Sequence, residues 1–446
     1  MKNKFSGYLT KITVVLIFQA LISSTMIAQD LSKFPTAQES DPIKLGWMLG
    51  FPPAKDKVIQ IADGSFYRFP EFRWTVTHMR DLLPTTNVYR GTTPVSALPN
   101  ALDPRIDAIQ FTPWGSNNKM SWKESLLKNY TDGILILHKG KIVYEHYFSS
   151  LTPGQTHVVM SLTKSFTGTL AAILAAEGKL DVHKKVVEYV PELKNSAFED
   201  ATVREVMDMT TALQFSEDYA NPNAEIWQFS NAGNPFPKPK DYKGPVGYYE
   251  YLKTVKKSGE HGKAFGYKTV NADVLGWIIS KISNQSVAQL LQEKIWKPLG
   301  MEQDAYYQVD GVGTPFAGGG LNAGLRDLAR FGELIRNKGM WKGKQLIPDA
   351  AVEDIMKGGS KEAFAKAGYE NLKGWSYRNM WWMTENADGA FTARGVHGQT
   401  IYIDPKAEMV IVRLASHPIA ANGANDATSL PAFQAVADYL MKTSGK

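Results

Sequence analysis

The chain has 446 residues, 50 Lys and Arg against 44 Asp and Glu, a hydrophobic content of 43% and no cysteine. That length calls for one large domain with insertions, or for two. The missing cysteine rules out structural disulfides, a thiol nucleophile and a lipoprotein anchor, and scattered charges without a basic run argue against a nucleic-acid partner.

Lys2, Lys4 and Lys11 precede a mostly apolar run, Ile12 to Ile22, followed by small and polar residues up to Ala28. Residues 1–28 therefore have the layout of a secretory signal peptide, and the apolar run is shorter than the about 20 residues that span a bilayer. The expected location is periplasmic or secreted, with no stable membrane insertion after cleavage. Residues 29–115 are rich in Pro and aromatics, as in GWMLGFPPAKDK and DGSFYRFPEFRW, and predict short extended pieces with turns. We read them as an N-terminal extension packed on a main body, 116–446, that carries a helical subdomain over about 180–300.

GILILHKGKIVYEHYF predicts a hairpin turning at His138-Lys-Gly-Lys141. FTGTLAAILAAEGKLD has apolar residues at helical spacing and ends at Gly178, a C′ glycine. Thr202 with Glu205 forms a capping-box pattern before another helix, and 271–283 and the stretch after FAGGGLNAG predict two more. GQTIYIDPKAEMVIVRL predicts a second hairpin turning at Asp404-Pro405-Lys406, and a last helix runs from about Leu430 to Met441. Strands at both ends with helices between them imply a sheet closed by the two halves of the chain.

Three Ser-x-x-Lys patterns occur, at Ser116, Ser125 and Ser161. Ser116 lies in the polar GSNNKMSW and reads as surface loop. Ser125 reads as part of a short solvent-facing amphipathic helix. Ser161 differs, because Val158-Val159-Met160 leads into it and an apolar helix follows. Lys164 then stands one turn above Ser161, and a desolvated lysine can lose its proton and serve as a general base. On local grounds the alternative stays open: an N-cap serine with a snorkelling lysine. The histidines show no H-E-x-x-H and no ligand spacing, so neither a metal nor another cofactor is expected. No G-x-S-x-G elbow is present, and no Lys-Ser/Thr follows the glycines of AGGGLNAG.

Several segments in order, MSLTKS, EGKLD, SEDYANPNAE, YKTVNADVLGW, GGGLNAGLRDLARFG, NMWWMTEN and GVHGQ, resemble the serine hydrolases built like class C β-lactamases, and within them the 6-aminohexanoate-dimer hydrolases. The resemblance implies an α/β (α+β) fold of β-lactamase/transpeptidase type, with a mainly antiparallel sheet flanked by helices and an inserted helical subdomain. It implies amide or ester hydrolysis through a Ser161 acyl-enzyme, with Lys164 and Tyr267 moving the proton and the cation favouring a Tyr267 phenolate. The backbone N–H groups of Ser161 and Val396 would form the oxyanion hole. Tyr219, His397, Arg394 and Trp381 would line the substrate site, His397 shaping the pocket or packing on Trp381 and Trp382. Two positions depart from the β-lactamase pattern: Thr269 replaces an asparagine, and the late strand offers Arg394-Gly395 or His397-Gly398 in place of Lys-Thr-Gly. A substrate with an ammonium end would need a carboxylate, for which Glu217, Asp218 and Glu225 are the candidates. The rivals are a D-Ala-D-Ala peptidase or β-lactamase and a non-catalytic ligand-binding sensor on the same fold.

Overall fold

The structure, a computed structural model, describes residues 31–219 and 221–444. The expected signal peptide lies outside the described residues. The strands of the two larger sheets are, in chain order, β1 (Thr85–Val88), β2 (Thr131–His138), β3 (Lys141–Tyr147), β4 (His157–Val158), β5 (Ala305–Gln308), β6 (Leu321–Ala323), β7 (Ser376–Arg378), β8 (Trp381–Met383), β9 (Phe391–Gly395), β10 (Gln399–Asp404) and β11 (Met409–Ala415). The four longest helices among the described residues are α1 (Thr163–Ala176), α2 (Val270–Ser283), α3 (Leu325–Arg336) and α4 (Gly423–Ser444).

Seven strands form one antiparallel sheet in the order β7-β8-β9-β10-β11-β2-β3. The sheet joins the early hairpin to the late one, because Met409 pairs with His138 and Ala415 with Thr131. Both hairpins turn where the sequence places them. Lys139 and Gly140 take φ of 51° and 72°, the left-handed pair that suits a two-residue hairpin turn. Strand alternation feeds two cores. Leu135 and Leu137 face the cluster holding α1 and α3, whereas Ile134 and Ile136 face Phe433 and Val436 of α4. Each such buried side chain contributes about 1.5–3 kcal/mol.

Helix α1 is buried from Thr163 to Leu174, and its chain reverses at Gly178, whose φ of 71° needs no Cβ. Thr202 and Glu205 form the expected capping box. The last helix starts at Gly423, ahead of the expected Leu430, and contains Pro431. A proline cannot bond the carbonyl four residues back, and here that carbonyl, of Ala427, accepts the Trp114 N–H at 2.9 Å. The short helix Trp122–Lys128 is amphipathic, but Ser125 points inward and bonds the Trp122 carbonyl at 2.6 Å, contrary to the solvent-facing reading.

Residues 31–115 contain two strands, β1 and the two-residue Gln110–Phe111, among short helical turns. Arg73 ties this segment to β2 through a buried ion pair with Asp132 at 3.0 Å, and Asp132 also meets His157 Nε2 at 3.4 Å. Strand β1 pairs with β5, which continues through β6 to β4, so a second, four-stranded sheet ends three residues before Ser161. Among the described residues no helix is long and apolar enough to cross a membrane.

Candidate active site

Three hydrogen bonds, one between backbones and two through the Thr163 hydroxyl, fix the turn that carries Ser161. Val159 N–H donates to Leu321 O at 2.9 Å, and Thr163 Oγ1 donates to Met160 O at 2.7 Å while accepting from Leu321 N at 3.1 Å. Met160 sits at φ 50°, an uncommon conformation for a side chain of its size, directly before the serine. Ser161 itself caps nothing, since the residue at the cap of α1 is Leu162 and makes no side-chain bond there. The N-cap alternative is thereby set aside.

Lys164 is 1% exposed. Its Nζ donates to Ser161 Oγ at 2.9 Å and to Gly318 O at 2.7 Å, and lies 5.1 Å from the centre of the Tyr267 ring. Burial pushes its pKa down to about 8, against the opposing pull of Glu217 and then Asp273. The Tyr267 phenol is pushed the other way, well above its ordinary range, by burial and by Glu217, with a hydrogen bond to Ser161 acting against them. That direction favours the phenol form over the expected phenolate.

The glycines of FAGGGLNAG serve close approach. A Cβ on Gly318 would lie 2.6 Å from Thr269 Cγ2 and 2.8 Å from Asp273 Oδ2, so only glycine brings this carbonyl to Lys164. Gly395 does the same for the late strand. A Cβ there would lie 2.5 Å from Val159 O and 3.1 Å from Leu162 N, so the end of β9 packs directly on the Ser161 turn. Val396 follows at once and lines the same cavities as Ser161. Among the described residues, neither the Ser161 nor the Val396 amide has a protein acceptor.

The other expected residues divide. Tyr219 lines both cavities, packs edge-on to Trp227 and donates to Glu217 Oε2 at 3.3 Å. Arg394 lines the smaller cavity, but Asp426 already neutralises it and its guanidinium lies 5.4 Å from the Trp382 ring centre. Trp381 is fully buried, with Nε1 bonded to Thr169 Oγ1 at 3.2 Å, and does not reach the site. Strand alternation gives that place to Trp382, which stacks on Tyr267 at 5.5 Å. His397 packs on neither tryptophan. It is buried against Phe72 at 4.4 Å, with Nδ1 2.6 Å from His417 O and Nε2 3.4 Å from the Tyr67 hydroxyl. Burial pushes it down to about 4, so it is a neutral anchor for the wall residue Tyr67.

Among the candidate carboxylates, Asp218 is exposed and Glu225 accepts from Ser216 N at 2.9 Å. Glu217 is the one that faces the smaller cavity, where it also accepts the Thr269 N–H. Its carboxyl is pushed up by burial, with Lys164 opposing. Asp273, absent from the expected set, lies buried beside Lys164, is pushed up by the same desolvation and accepts the Ala317 N–H at 3.0 Å. Its position in YKTVNADVLGW, six residues after Tyr267 and in the first turn of α2, was the available signal. Ser116 lies in a loop away from these groups.

Comparison with known proteins gives the family and the fold. The sequence profile of the beta-lactamase family matches residues 128–432. The chain is 33% identical over 363 residues to the 6-aminohexanoate-dimer hydrolase of Paenarthrobacter ureafaciens, covering 79% of this chain and 88% of that one. A solved structure from Bacillus anthracis, provisionally assigned as a 6-aminohexanoate-dimer hydrolase, superposes with a TM-score of 0.77 at 34% identity, covering 86% of this chain and 99% of that one. A penicillin-binding protein homologue from Caulobacter crescentus shares the fold at 15% identity and a TM-score of 0.53, over 70% of this chain and 96% of its own.

Proposed function

Because the chain belongs to the beta-lactamase family, as a hydrolase related to 6-aminohexanoate-dimer hydrolase, we propose that it cleaves amide or ester bonds through an acyl-enzyme on Ser161. The observation that carries this reading is the buried Lys164 Nζ held 2.9 Å from Ser161 Oγ. At pH 7 a lysine with a pKa of about 8 is ~10% neutral amine, against ~0.03% at its ordinary value. Ser161 Oγ attacks the carbonyl carbon as its proton passes to the Lys164 amine. The N–H groups of Ser161 and Val396 receive the developing oxyanion. The neutral Tyr267 phenol hands a proton to the departing amine or alcohol and recovers one from the Lys164 ammonium. Water then attacks the acyl carbon, its proton returning by the same route.

Thr269 and an Arg394 already paired with Asp426 favour linear amides and esters over β-lactams and D-Ala-D-Ala peptides, since the late strand's arginine is engaged before a substrate carboxylate arrives. The N-terminal layout supports export to the periplasm or medium.

Pre-steady-state hydrolysis of p-nitrophenyl acetate and butyrate tests the reading. A burst with an acyl mass shift on Ser161 is expected in wild type and in Ser116→Ala. Ser161→Ala should lack both, and Lys164→Ala should acylate at least a hundredfold more slowly. Folded wild type without burst or mass shift would hand the lead to the ligand-binding sensor.

A further inference from the structure

Ser161, Tyr219 and Val396 line two cavities at once. The smaller, about 220 Å³, holds Glu217, Arg394 and Asp426 together with Asn371 and Asn422. The larger, about 520 Å³, has a different wall. Phe66, Tyr67, Trp227, Phe229, Tyr248 and Phe316 make up much of it, and among its described lining residues none carries a charge. Tyr248 and Phe316 stack at 5.0 Å, and Phe229 meets Phe316 edge-on at 5.9 Å, so this end is a preformed aromatic surface. The size suits a drug-sized group.

Part of that wall comes from Ile61, Phe66, Tyr67, Met79 and Leu83, which precede the residues matched by the family profile. It is held in place by packing of Phe72 on His397 and by the Tyr67–His397 contact.

We infer that the substrate is asymmetric: one limb beside the scissile bond is neutral and apolar, aryl or medium-chain alkyl, and occupies the larger cavity, while the other limb is polar and lies by Glu217. This rests on the acyl-enzyme reading of Ser161 and narrows it. A charged terminus in the larger cavity would lose its water without gaining an ionic partner, so compounds with ammonium or carboxylate groups at both ends are poor substrates. The reaction is simple hydrolysis: the C–N or C–O bond breaks, the acid keeps the oxygen of water and the amine or alcohol takes the proton.

Two pairs of esters, differing only in a terminal ammonium, test each limb in turn. p-Nitrophenyl octanoate against p-nitrophenyl 8-aminooctanoate probes the acyl limb, and octyl acetate against 8-aminooctyl acetate probes the alcohol limb. The neutral member should lead by about tenfold or more in kcat/KM in one of the two arms. The Kd values of the corresponding amides for Ser161→Ala, by calorimetry, should show the same order. Phe66→Asp should cut that preference at least threefold, and Trp227→Ala should weaken it.

Equal or better use of the ammonium member in both arms overturns the inference. So does a preference that both variants leave untouched. If p-nitrophenyl acetate fails to acylate Ser161, the acyl-enzyme reading falls. The calorimetric comparison then still decides whether the cavity takes a neutral limb.

Discussion

Exchanging Glu217 for Gln should move the pH midpoint of Ser161 acylation downward. Burial holds the Lys164 pKa near 8 against the pull of Glu217 and Asp273, and one nearby opposite charge is worth about 1–3 pKa units. Gln keeps the volume and an oxygen for the Thr269 N–H, so the link between the two segments survives. The reactive form is the neutral amine, so acylation rises as pH climbs through the lysine's pKa. Removing a carboxylate destabilises the ammonium, and the midpoint should fall to roughly 5–7. At pH 6 the neutral fraction is ~1% for a pKa of 8 and ~9% for a pKa of 7, so a shift of one unit speeds acylation about tenfold there. Stopped-flow bursts with p-nitrophenyl acetate from pH 5 to 9, read at the isosbestic wavelength, measure it. A midpoint that stays at about 8, or rises, refutes Lys164 as a base governed by Glu217.

Other variants isolate single parts. Tyr267→Phe should slow acylation by about 10²–10⁴ yet leave the midpoint governed by Lys164; loss of the pH transition would make the phenol the base. Gly395→Ala places a Cβ 2.5 Å from Val159 O and should lower kcat about 10²–10³-fold, the worth of one oxyanion donor, with the fold intact by circular dichroism. Arg73→Met strands Asp132 in the interior and should cost about 3–5 kcal/mol in urea unfolding; a loss below about 1 kcal/mol would mean that His157 or water compensates.

Local pattern was legible wherever one segment carried both halves of the signal. Ser161 and Lys164 lie one turn apart, and the Lys139-Gly140 turn joins strands that pair directly, so spacing brings each pair together. The role of Ser161 stays open on local grounds until the other segments are added. Phase was harder. Trp381 and Trp382 are neighbours of one type on a strand only three residues long, and nothing local says which faces the cavity. Pro431 hid the start of α4, because its orphaned acceptor is satisfied by Trp114, far away in the chain. The electrostatics of Lys164 were least legible. Glu217, Asp273 and Gly318 come from three separate segments, and desolvation, the first cause of the shifts of Lys164 and Tyr267, exists only once the chain is folded. His397 was legible as a motif but not as a support for Tyr67, since the partner segment carries no signal for that contact.

The pairing of β2 with β11 also has a kinetic side. The early hairpin must wait for a strand near the far end of the chain before the sheet is complete, and contacts so distant in sequence slow folding because the loop must close before the pairing repays it. Until then β2, with every residue from Thr131 to Leu137 destined for burial, keeps an open hydrogen-bonding edge. Chains truncated before Met409 would carry that edge permanently, and an unpaired apolar strand is a template for aggregation.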